Sequence, residues 1–490
     1  MKILGKYFIP AILVILWASV FIKGLIFLDP DFGWHLKEGQ LILQSGIQAT
    51  DPFSYTMPSY AFIDHEWLIN ILMYLVYSSF GIYVLSGIFA SISTLALYFL
   101  IPEKNKHFVF IPLFLAGTIV LGFSGVRTQE ITWLFFALIL KIIFDKNLWA
   151  KWKYFIPLIF LPWVNLHGGF AVGIAILFVF SVFTSFKNKK LNMDSIKVLF
   201  LSFLASLINP YGVRIWHEIW MQVSDNTLHL YISEWTPGVF YFDVSFCILF
   251  ALSFSLIFVY RKKLSFEKIG IYSVLLLMAI SSARHIPLWA IAAVFITSDG
   301  LFLFWEQVKK NRENIYRFEK IKKILMVVFF AVFLYELGYV FVVSNNLNSY
   351  PINAVNVLNK QNIKGNLFAP YDVGGYLIWK FPNHKVFIDG RMPSWRRIGN
   401  YYNESNYAFK DYLKMISDDN FFKEEIKKYN ITYILFPKPR ASKNSIIDEA
   451  DNFLRRLVYK NIDGHILYED LSKFGFIKIY SDKKFVIYKV

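Results

Sequence analysis

The sequence predicts an all-α polytopic membrane domain with about eleven transmembrane helices. A C-terminal α/β domain outside the cytoplasm follows it. Of the 490 residues, 56% are hydrophobic, 18% are charged and 51 are Phe. This composition excludes an ordinary soluble globular protein. The net charge of +16 comes mainly from loops on one side of the predicted bilayer, so it indicates membrane orientation and no nucleic-acid partner.

The apolar runs place the transmembrane helices. The first run, 7–28, is longer than the apolar region of a signal peptide and has no small-residue cleavage site after it, so we expect it to be a retained helix. Runs that are long enough, or nearly so, to span a bilayer follow at 82–101, 108–125, 130–144, 153–164, 168–186, 195–209, 239–260, 267–283, 285–305 and 321–344.

The segment from His65 to Gly81 is a further apolar stretch whose position depends on loop charges. Its polar residues Glu66, Asn70 and Tyr74 recur every four residues, which is typical of an amphipathic helix lying in the membrane interface. If this segment crossed the membrane, every later loop would change sides. The loops that hold roughly 20 Lys and Arg residues would then lie outside, and those that hold about four would lie in the cytoplasm, contrary to the positive-inside rule. We therefore predict a multi-pass protein of the cytoplasmic (inner) membrane with a cytoplasmic N-terminus.

This topology predicts two domains. The transmembrane domain is 1–344, with a first external loop at 29–81, and the extracytoplasmic α/β domain is 345–490. In this tail, Pro351 marks a helix start and Gly365 a helix stop. The β-branched and aromatic runs predict strands; they are "KVFIDG", "ITYILF" and "KKFVIYKV".

The conspicuous polar motifs all fall on the predicted external side: the "DPDF" of the first loop, then "DHEW", "GVRTQE", "NLHGG", "NPYG", "SEWTP" and "ARHIP". Pro30 disfavours helix at Asp29, so the chain should turn there and direct Asp29 and Asp31 into one cavity. A carboxylate within reach of an acceptor hydroxyl serves as a general base, and a partly dry pocket raises its basicity. Asp29 and Asp31 are therefore the candidate catalytic residues. The alternative is an Asp-Pro helix stop with solvated acids.

The same two carboxylates are the candidate ligands of a divalent cation, Mg²⁺ or Mn²⁺, because these ions prefer oxygen donors. Their spacing is not diagnostic of a metal site, so the use of a metal stays open.

Cationic groups at helix ends are candidates for binding the phosphate of a lipid-linked donor substrate, which would lie at the membrane surface. Arg127 and Arg284 suit this role because a guanidinium offers paired donors to phosphate. His167 and His285 are further donors. The alternative for each of the four is a snorkelling or capping side chain.

The first loop and the tail supply the remaining candidates. Asp389 and Arg391 form either the edge of a ligand site or an internal ion pair. Asp64 is equally suited to capping the helix that follows it. The candidate substrate-binding residues of the first loop are His35, Asp64, His65 and Glu66.

The order of these parts resembles the GT-C superfamily of membrane glycosyltransferases, which includes protein O-mannosyltransferases, aminoarabinose transferases and oligosaccharyltransferases. The resemblance is carried by "DPDFGWHLKEGQLILQSG", "DPFSYT" and "DHEWL", then many spans and an external tail. It implies an inverting transferase that moves a hexosyl or pentosyl unit from a polyprenyl-phosphate-linked sugar donor to a lipid, glycan or protein acceptor in cell-envelope glycan biosynthesis. It also implies that Asp29 or Asp31 is the base and that the external Arg and His residues attend the donor phosphate. The acidic motif is here Asp-Pro-Asp, so the choice between the two carboxylates stays open.

Two other function classes fit the sequence. A transporter or flippase of lipid-linked saccharide would carry charged side chains in mid-span, where this chain has few; Lys23, shortly before Asp29, is the notable case. A non-catalytic scaffold subunit would recruit a partner through its external domain and would tolerate the loss of Asp29 and Asp31.

Overall fold

A computed structural model describes residues 2–102, 106–240, 244–310, 330–331, 334–335, 337–338, 340–342, 350–361, 363–399, 401–438 and 471–490. The chain divides into two compact units, and each is treated by itself. The helical unit consists of Met1–Leu28, Phe80–Val213 and Ser233–Leu347. The loop–tail unit consists of Asp29–Ser79, Arg214–Ile232 and Asn348–Val490.

Helices dominate the described residues. In chain order they are α1 (Lys2–Ile26), α2 (Phe32–Ser45), α3 (Trp67–Phe99), α4 (Phe110–Phe123), α5 (Gln129–Phe144), α6 (Lys146–Trp152), α7 (Ile156–Leu166), α8 (Phe170–Asn188), α9 (Met193–Ser206), α10 (Arg214–Val223), α11 (Asn226–Tyr231), α12 (Val244–Tyr260), α13 (Phe266–Ser281), α14 (Ile286–Val308), α15 (Ile352–Gln361), α16 (Tyr371–Lys380), α17 (Ala408–Met415) and α18 (Asp419–Lys428).

The apolar helices agree with a membrane protein. Within the described part of the chain, 4 helices are long and apolar enough to cross a bilayer: Ile9–Ile26, Trp67–Phe99, Phe170–Asn188 and Ala283–Val308. Helices also occupy each of the first ten predicted apolar runs. The eleventh, 321–344, lies mostly outside the described residues. A mostly helical membrane protein is therefore confirmed, while the number of spans stays a prediction.

The helix α3 bends at Gly81, where φ is 76° and ψ is −172°. Glycine adopts a positive φ without the strain that a Cβ would add. The bend separates the predicted interfacial segment, 65–81, from the apolar run 82–101, and the two compact units meet in sequence at the same place. The placement of the first segment in the membrane interface stays a prediction.

The predicted turn around Pro30 is confirmed. The helix α1 ends at Ile26 and α2 begins at Phe32. Between them, Oδ1 of Asp29 accepts the backbone N–H of Asp31 at 2.9 Å, a side-chain bond that stabilises a turn in place of helix.

A four-stranded sheet lies in the tail, with strand order β1-β2-β4-β3. The strands are β1 (Asn366–Phe368), β2 (Ile431–Pro437), β3 (Ile477–Ser481) and β4 (Phe485–Lys489). β1 runs parallel to β2, and the other pairs are antiparallel. The predictions of strands at "ITYILF" and "KKFVIYKV" are confirmed by β2 and β4.

The third strand prediction, "KVFIDG", is wrong. Val386 forms an isolated parallel bridge with Ser54 of the first loop. Extended, β-branched sequence forms a strand only where a partner strand runs beside it, and the segment beside Val386 is an irregular loop.

Two hydrophobic clusters join the first loop to the tail within the loop–tail unit. One packs Met57 and Phe62 of the loop against Phe387 of the tail. The other packs Trp34 of α2 against Leu435 of β2. Burying a large apolar side chain stabilises a fold by about 1.5–3 kcal/mol. The domain boundaries 1–344 and 345–490 stay predictions; in the described structure the first loop packs in the same unit as the tail.

Candidate active site

The turn at the start of the first loop places two carboxylates near the phenol of Tyr350. The Tyr350 hydroxyl donates to the backbone carbonyl oxygen of Asp29. Burial raises the pKa of Tyr350 well above its usual value, and the charges of Asp29 and Asp31 raise it further. Asp29 is 7% exposed, whereas Asp31 is only partly buried. The structure thus brings the two predicted catalytic carboxylates together and leaves Asp31 the more accessible.

Asp31 packs against a tail turn that contains Gly390. A Cβ atom on Gly390 would lie 1.8 Å from Oδ1 of Asp31, so the carboxylate occupies the space that any side chain would need there. The backbones of α2 and α16 also approach closely, since a Cβ on Gly33 would lie 2.2 Å from the carbonyl oxygen of Gly375. These contacts hold the N-terminal end of α2, and with it Asp31, against the tail.

Arg391 forms a buried ion-pair network between the tail and the first loop. Its Nε and Nη2 donate to the Asp389 carboxylate at 2.8 and 2.7 Å, and Nη2 lies 2.9 Å from Oδ1 of Asp51. The Arg391 side chain is 2% exposed, and both carboxylates are 0% exposed. Of the two interpretations left open for Asp389 and Arg391, the internal ion pair is the one observed.

Aromatic rings surround the guanidinium of Arg391. Their centroids lie 4.9 to 6.0 Å from its Cζ atom, and the rings belong to Trp34, Phe53, Phe62 and Trp395. A cation next to ring faces is attracted by their quadrupoles, most strongly where water is excluded. Three of the four rings come from the first loop, so the arginine further fixes this loop against the tail.

His35 and Asp64 are joined through Asn70. Nδ1 of His35 lies 2.6 Å from Oδ1 of Asn70, and Nδ2 of Asn70 donates to Oδ2 of Asp64 at 2.8 Å. Because the amide nitrogen faces the carboxylate, the amide oxygen faces the imidazole, which assigns the proton to Nδ1 of His35. Oδ1 of Asp64 accepts the backbone N–H of Glu66 at 2.9 Å. Asp64 therefore holds the turn before α3 and, through Asn70, orients His35. Its capping of α3 and its contact with substrate stay predictions.

Glu38 is a buried acid that the sequence analysis did not select. It is 1% exposed. Burial raises the pKa of Glu38 to about 7; the charge of Arg391 opposes the rise, while Asp51 and Asp389 add to it. Its signal in the sequence is its spacing, three residues after His35 and seven after Asp31, which directly precedes α2; this is the spacing of one helix face.

His65 lies near Glu218 of α10, whereas the charge of Glu66 acts on Asp64. Glu218 of α10 is 5% exposed. Burial raises the pKa of Glu218, and the opposing charge of His65 limits the rise. Glu66 is 7% exposed. Their predicted contacts with substrate stay predictions.

In the helical unit, Arg127 and Arg284 converge on Glu234. Arg127 and Glu234 form an ion pair. Burial favours the neutral acid, but the charges of Arg127 and Arg284 outweigh it, so the pKa of Glu234 lies below its usual value. Cζ of Arg284 also lies 4.3 Å from the ring centroid of Trp235. The two predicted phosphate-binding arginines are thus brought together. Glu234 itself was missed, although the "SEWTP" motif contains it.

The two predicted histidines of the helical unit lie at helix ends. Nδ1 of His167 accepts the backbone N–H of Gly169 at 3.0 Å and lies 2.7 Å from Oγ1 of Thr132. The side chain of Thr132 fills the space beside Gly169, since a Cβ on Gly169 would lie 2.2 Å from Oγ1 of Thr132. His285 ends a 3-10 turn directly before α14. Donor binding by both histidines stays a prediction.

No group of three or more His, Cys, Asp or Glu side chains is arranged to hold a metal ion in the described ranges of the chain. Magnesium sites commonly use one or two carboxylates together with water and substrate phosphates. A divalent cation at Asp29 and Asp31 stays a prediction.

Solved membrane glycosyltransferases share this architecture. The archaeal oligosaccharyltransferase AglB from Archaeoglobus fulgidus, in complex with an inhibitory peptide and a dolichol-phosphate, matches with a TM-score of 0.59 at 13% identity, over 89% of this chain and 70% of its own. ArnT from Cupriavidus metallidurans bound to undecaprenyl phosphate matches with a TM-score of 0.51 at 11% identity, over 98% of this chain and 97% of its own. Its apo state gives a TM-score of 0.53 at 12% identity, over the same shares of the two chains.

By sequence, no protein-family model matches the chain, and a search of curated proteins finds no significant match. At the low identities of the solved structures, the likeness establishes the fold alone. AglB and ArnT both belong to the GT-C superfamily of membrane glycosyltransferases. The expectation of this fold is therefore confirmed: this chain has the fold of the GT-C membrane glycosyltransferases.

Proposed function

We propose that the chain is an inverting glycosyltransferase of the cytoplasmic membrane. It transfers a hexosyl or pentosyl unit from a polyprenyl-phosphate-linked donor to a lipid, glycan or protein acceptor on the external face. The observation that carries this proposal is the likeness over 98% of the chain to ArnT, in a structure that contains undecaprenyl phosphate. The match includes the first loop and the tail as well as the helices.

Asp31 is the general base of this proposal. Asp29 is the more buried carboxylate, and its Oδ1 accepts the backbone N–H of Asp31 at 2.9 Å, so its role is to hold the turn. In the transfer, the acceptor oxygen attacks the anomeric carbon, the bond from that carbon to the phosphate oxygen breaks, and Asp31 takes the acceptor proton. The polyprenyl phosphate leaves with the electron pair of the broken bond.

Arg127 and Arg284 hold the phosphate of the donor. Paired guanidinium donors suit phosphate oxygens, and they stabilise the charge that grows on the leaving group. Their contacts with Glu234 set two positive charges against one negative charge, which leaves the group cationic and suited to an anion.

The proposed topology of the protein has eleven transmembrane spans and a cytoplasmic N-terminus. It rests on the sequence, because the positive-inside rule places the basic loops in the cytoplasm and the acidic first loop outside. Mg²⁺ or Mn²⁺ at Asp29 and Asp31 is compatible with it and is tested by chelation.

Lys23, the residue that could have favoured a flippase, has a structural role. Its Nζ donates to the carbonyl oxygens of Leu121 and Gly122 at 2.8 Å each. These carbonyls lie at the C-terminal end of α4, where a cation stabilises the helix dipole. The charge in α1 therefore gives no support to a transport path.

The test is transfer of a labelled sugar from a lipid-linked donor in membranes that contain the wild type, Asp31→Asn or Asp29→Asn. We expect Asp31→Asn to lower kcat by at least ~100-fold, the scale of general base catalysis, and Asp29→Asn to have a smaller effect. Asp482→Asn, in the turn before β4, is the control for an Asp that caps a turn. Full activity in both loop variants, with the fold intact, would exclude these roles for Asp29 and Asp31. Absence of transfer by the wild type would favour a scaffold.

A further inference from the structure

Three buried polar atoms around Arg391 have no hydrogen-bond partner among the described residues. They are Nε1 of Trp34, Oε2 of Glu38 and Nη1 of Arg391. Trp34 and Glu38 are four residues apart on α2, so their side chains lie on one face of that helix. Cζ of Arg391 lies 6.0 Å from the ring centroid of Trp34. The charge of Arg391 also acts on Glu38, so the two donors and the acceptor belong to three neighbouring side chains beside α2.

Such a set matches the hydrogen-bonding capacity of one water molecule. A water accepts two hydrogen bonds, here from the indole and the guanidinium, and donates to the Glu38 carboxylate. Buried waters typically make about three hydrogen bonds to otherwise unsatisfied polar groups. An unsatisfied buried charge is costly, which favours such an occupant over a dry contact.

The charge of Glu38 acts on the turn that supports Asp31. The ionisable groups that face Glu38 are Arg391, Asp51, Asp389 and Asp64. Arg391 directly follows Gly390, on which the Asp31 carboxylate packs. A change in the attraction between Glu38 and Arg391 therefore reaches the surface under Asp31 through a single peptide unit.

We propose that Glu38, Trp34 and Arg391 hold an internal water, and that Glu38 is a positioning residue for Asp31 in the proposed transfer. The ionised Glu38 completes the hydrogen bonds of the water and draws Arg391 toward α2. The protonated Glu38 loses that attraction, and the 389–391 turn is held less firmly. This inference rests on the proposed function, since it assigns a role in the same transfer.

The titration range of Glu38 makes this role measurable. Because its pKa is raised to about 7 by burial, Glu38 changes charge within the range in which a membrane enzyme can be assayed. The wild type should gain activity as the pH rises through about 7, in addition to any effect of the base itself.

The experiment compares the pH profiles of kcat for the wild type and Glu38→Gln between pH 5.5 and 8.5. Glu38→Gln should lack the rise in kcat near pH 7. At pH 8.5 its kcat should be roughly five- to tenfold below that of the wild type, the scale of one hydrogen bond to a charged group. The KM for the donor should not change. Glu425→Gln is the matched control, because Glu425 of α18 is also buried, has a raised pKa and pairs with Lys428; it should keep the wild-type profile.

A second variant protects the test against loss of fold in Glu38→Gln. Trp34→Phe removes the indole donor but keeps an aromatic ring. The rise in kcat should move to higher pH, because the water that stabilises the ionised Glu38 loses one hydrogen bond. A wild-type profile in either variant would overturn the inference.

Absence of transfer by the wild type would instead contradict the proposed function. In that case the inference is judged by thermal unfolding in detergent. The wild type should lose stability between pH 5 and 7.5, and Glu38→Gln should lose less; equal slopes would overturn the role of Glu38.

Discussion

Arg391 of the tail and Asp51 of the first loop form an ion pair at 2.9 Å in which neither side chain is more than 2% exposed. Asp51 also accepts the backbone N–H groups of Phe53 and Ser54 at 3.2 and 2.9 Å. One carboxylate therefore shapes its own loop and binds the arginine that anchors the loop to the tail. Four predictions rest on the contacts and charges of this region and of the helical unit, and a fifth concerns the orientation of the chain in the membrane.

Asp51→Asn should destabilise the loop–tail unit. The change removes a negative charge from a buried arginine, and breaking a buried pair is costly. Asp389 keeps its contact with Arg391, so we expect a loss of about 2 kcal/mol, below the full cost of an isolated buried charge. Thermal unfolding in detergent measures it. Glu306→Gln, which removes the exposed pair with Lys309, is the control and should change stability by less than about 1 kcal/mol. Equal unfolding temperatures for both variants would contradict this ion pair.

Gly390→Ala should reduce transfer while leaving the helical unit folded. The new Cβ would lie 1.8 Å from Oδ1 of Asp31, so the carboxylate or the turn must move. A displacement of about 1 Å in a reacting group can cost roughly 100-fold in rate. Steady-state kcat with a lipid-linked sugar measures the effect. Gly87→Ala is the control, since its Cβ would meet its nearest atom only at 4.0 Å. An unchanged kcat in Gly390→Ala would show that Asp31 need not occupy this position.

Arg127→Ala and Arg284→Ala should each raise the KM for the donor by roughly tenfold, because each removes one charged partner of the phosphate. The KM for the acceptor should stay the same. Arg284→Lys should recover only part of the loss, since a lysine keeps the charge without the planar donors that stack on Trp235. Arg261→Ala, which removes a cation over Phe258, serves as the control. A normal KM for the donor in both alanine variants would remove the arginines from the donor site.

The stability of the loop–tail unit should fall as the pH rises from about 4.5 to about 7. The folded-state pKa of Glu38 is raised from 4.5 to about 7, so over this interval the folded state binds more protons than the unfolded state, and deprotonation favours unfolding. The total change is on the order of 3 kcal/mol. Asp64, whose pKa is raised by burial and then by Glu38, acts in the same direction. A stability that rises over this interval would contradict the burial of both acids.

Cysteine labelling should test the orientation of the chain. The native Cys247 is exposed, so the background is Cys247→Ser. Lys483→Cys in the tail should react with a membrane-impermeant maleimide in intact cells, because the tail is predicted to be external. Lys189→Cys, in a loop predicted to be cytoplasmic, should react only after the membrane is opened. The reverse pattern would invert the proposed topology.

Local patterns predicted the elements whose causes are local. Pro30 predicted the end of α1, and the apolar runs predicted the helices of the bundle, because helix boundaries and membrane length depend on nearby residues. The turn that brings Asp29 and Asp31 together was predictable for the same reason. The strand prediction around Val386 was wrong because strand formation depends on a partner elsewhere in the chain.

The supports of the candidate site depend on contacts between distant segments. The pairing of Asp51 with Arg391 and of Arg127 with Glu234 requires folding that no spacing in the sequence displays. Glu38 is an intermediate case. Its helical spacing from Asp31 and His35 was visible, but its raised pKa depends on burial against the tail, which only the three-dimensional structure provides.

The hydrogen bond from Oγ1 of Thr56 to the carbonyl oxygen of Phe387, across 331 positions in sequence at 2.6 Å, has a consequence for biogenesis. During synthesis the first loop emerges long before its partners in the tail. At a translation rate of about 5–20 residues per second, its apolar residues must wait for tens of seconds. The loop can therefore complete this contact only after Phe387 has been synthesised, so its final fold forms late, after the helices of the bundle have already been made.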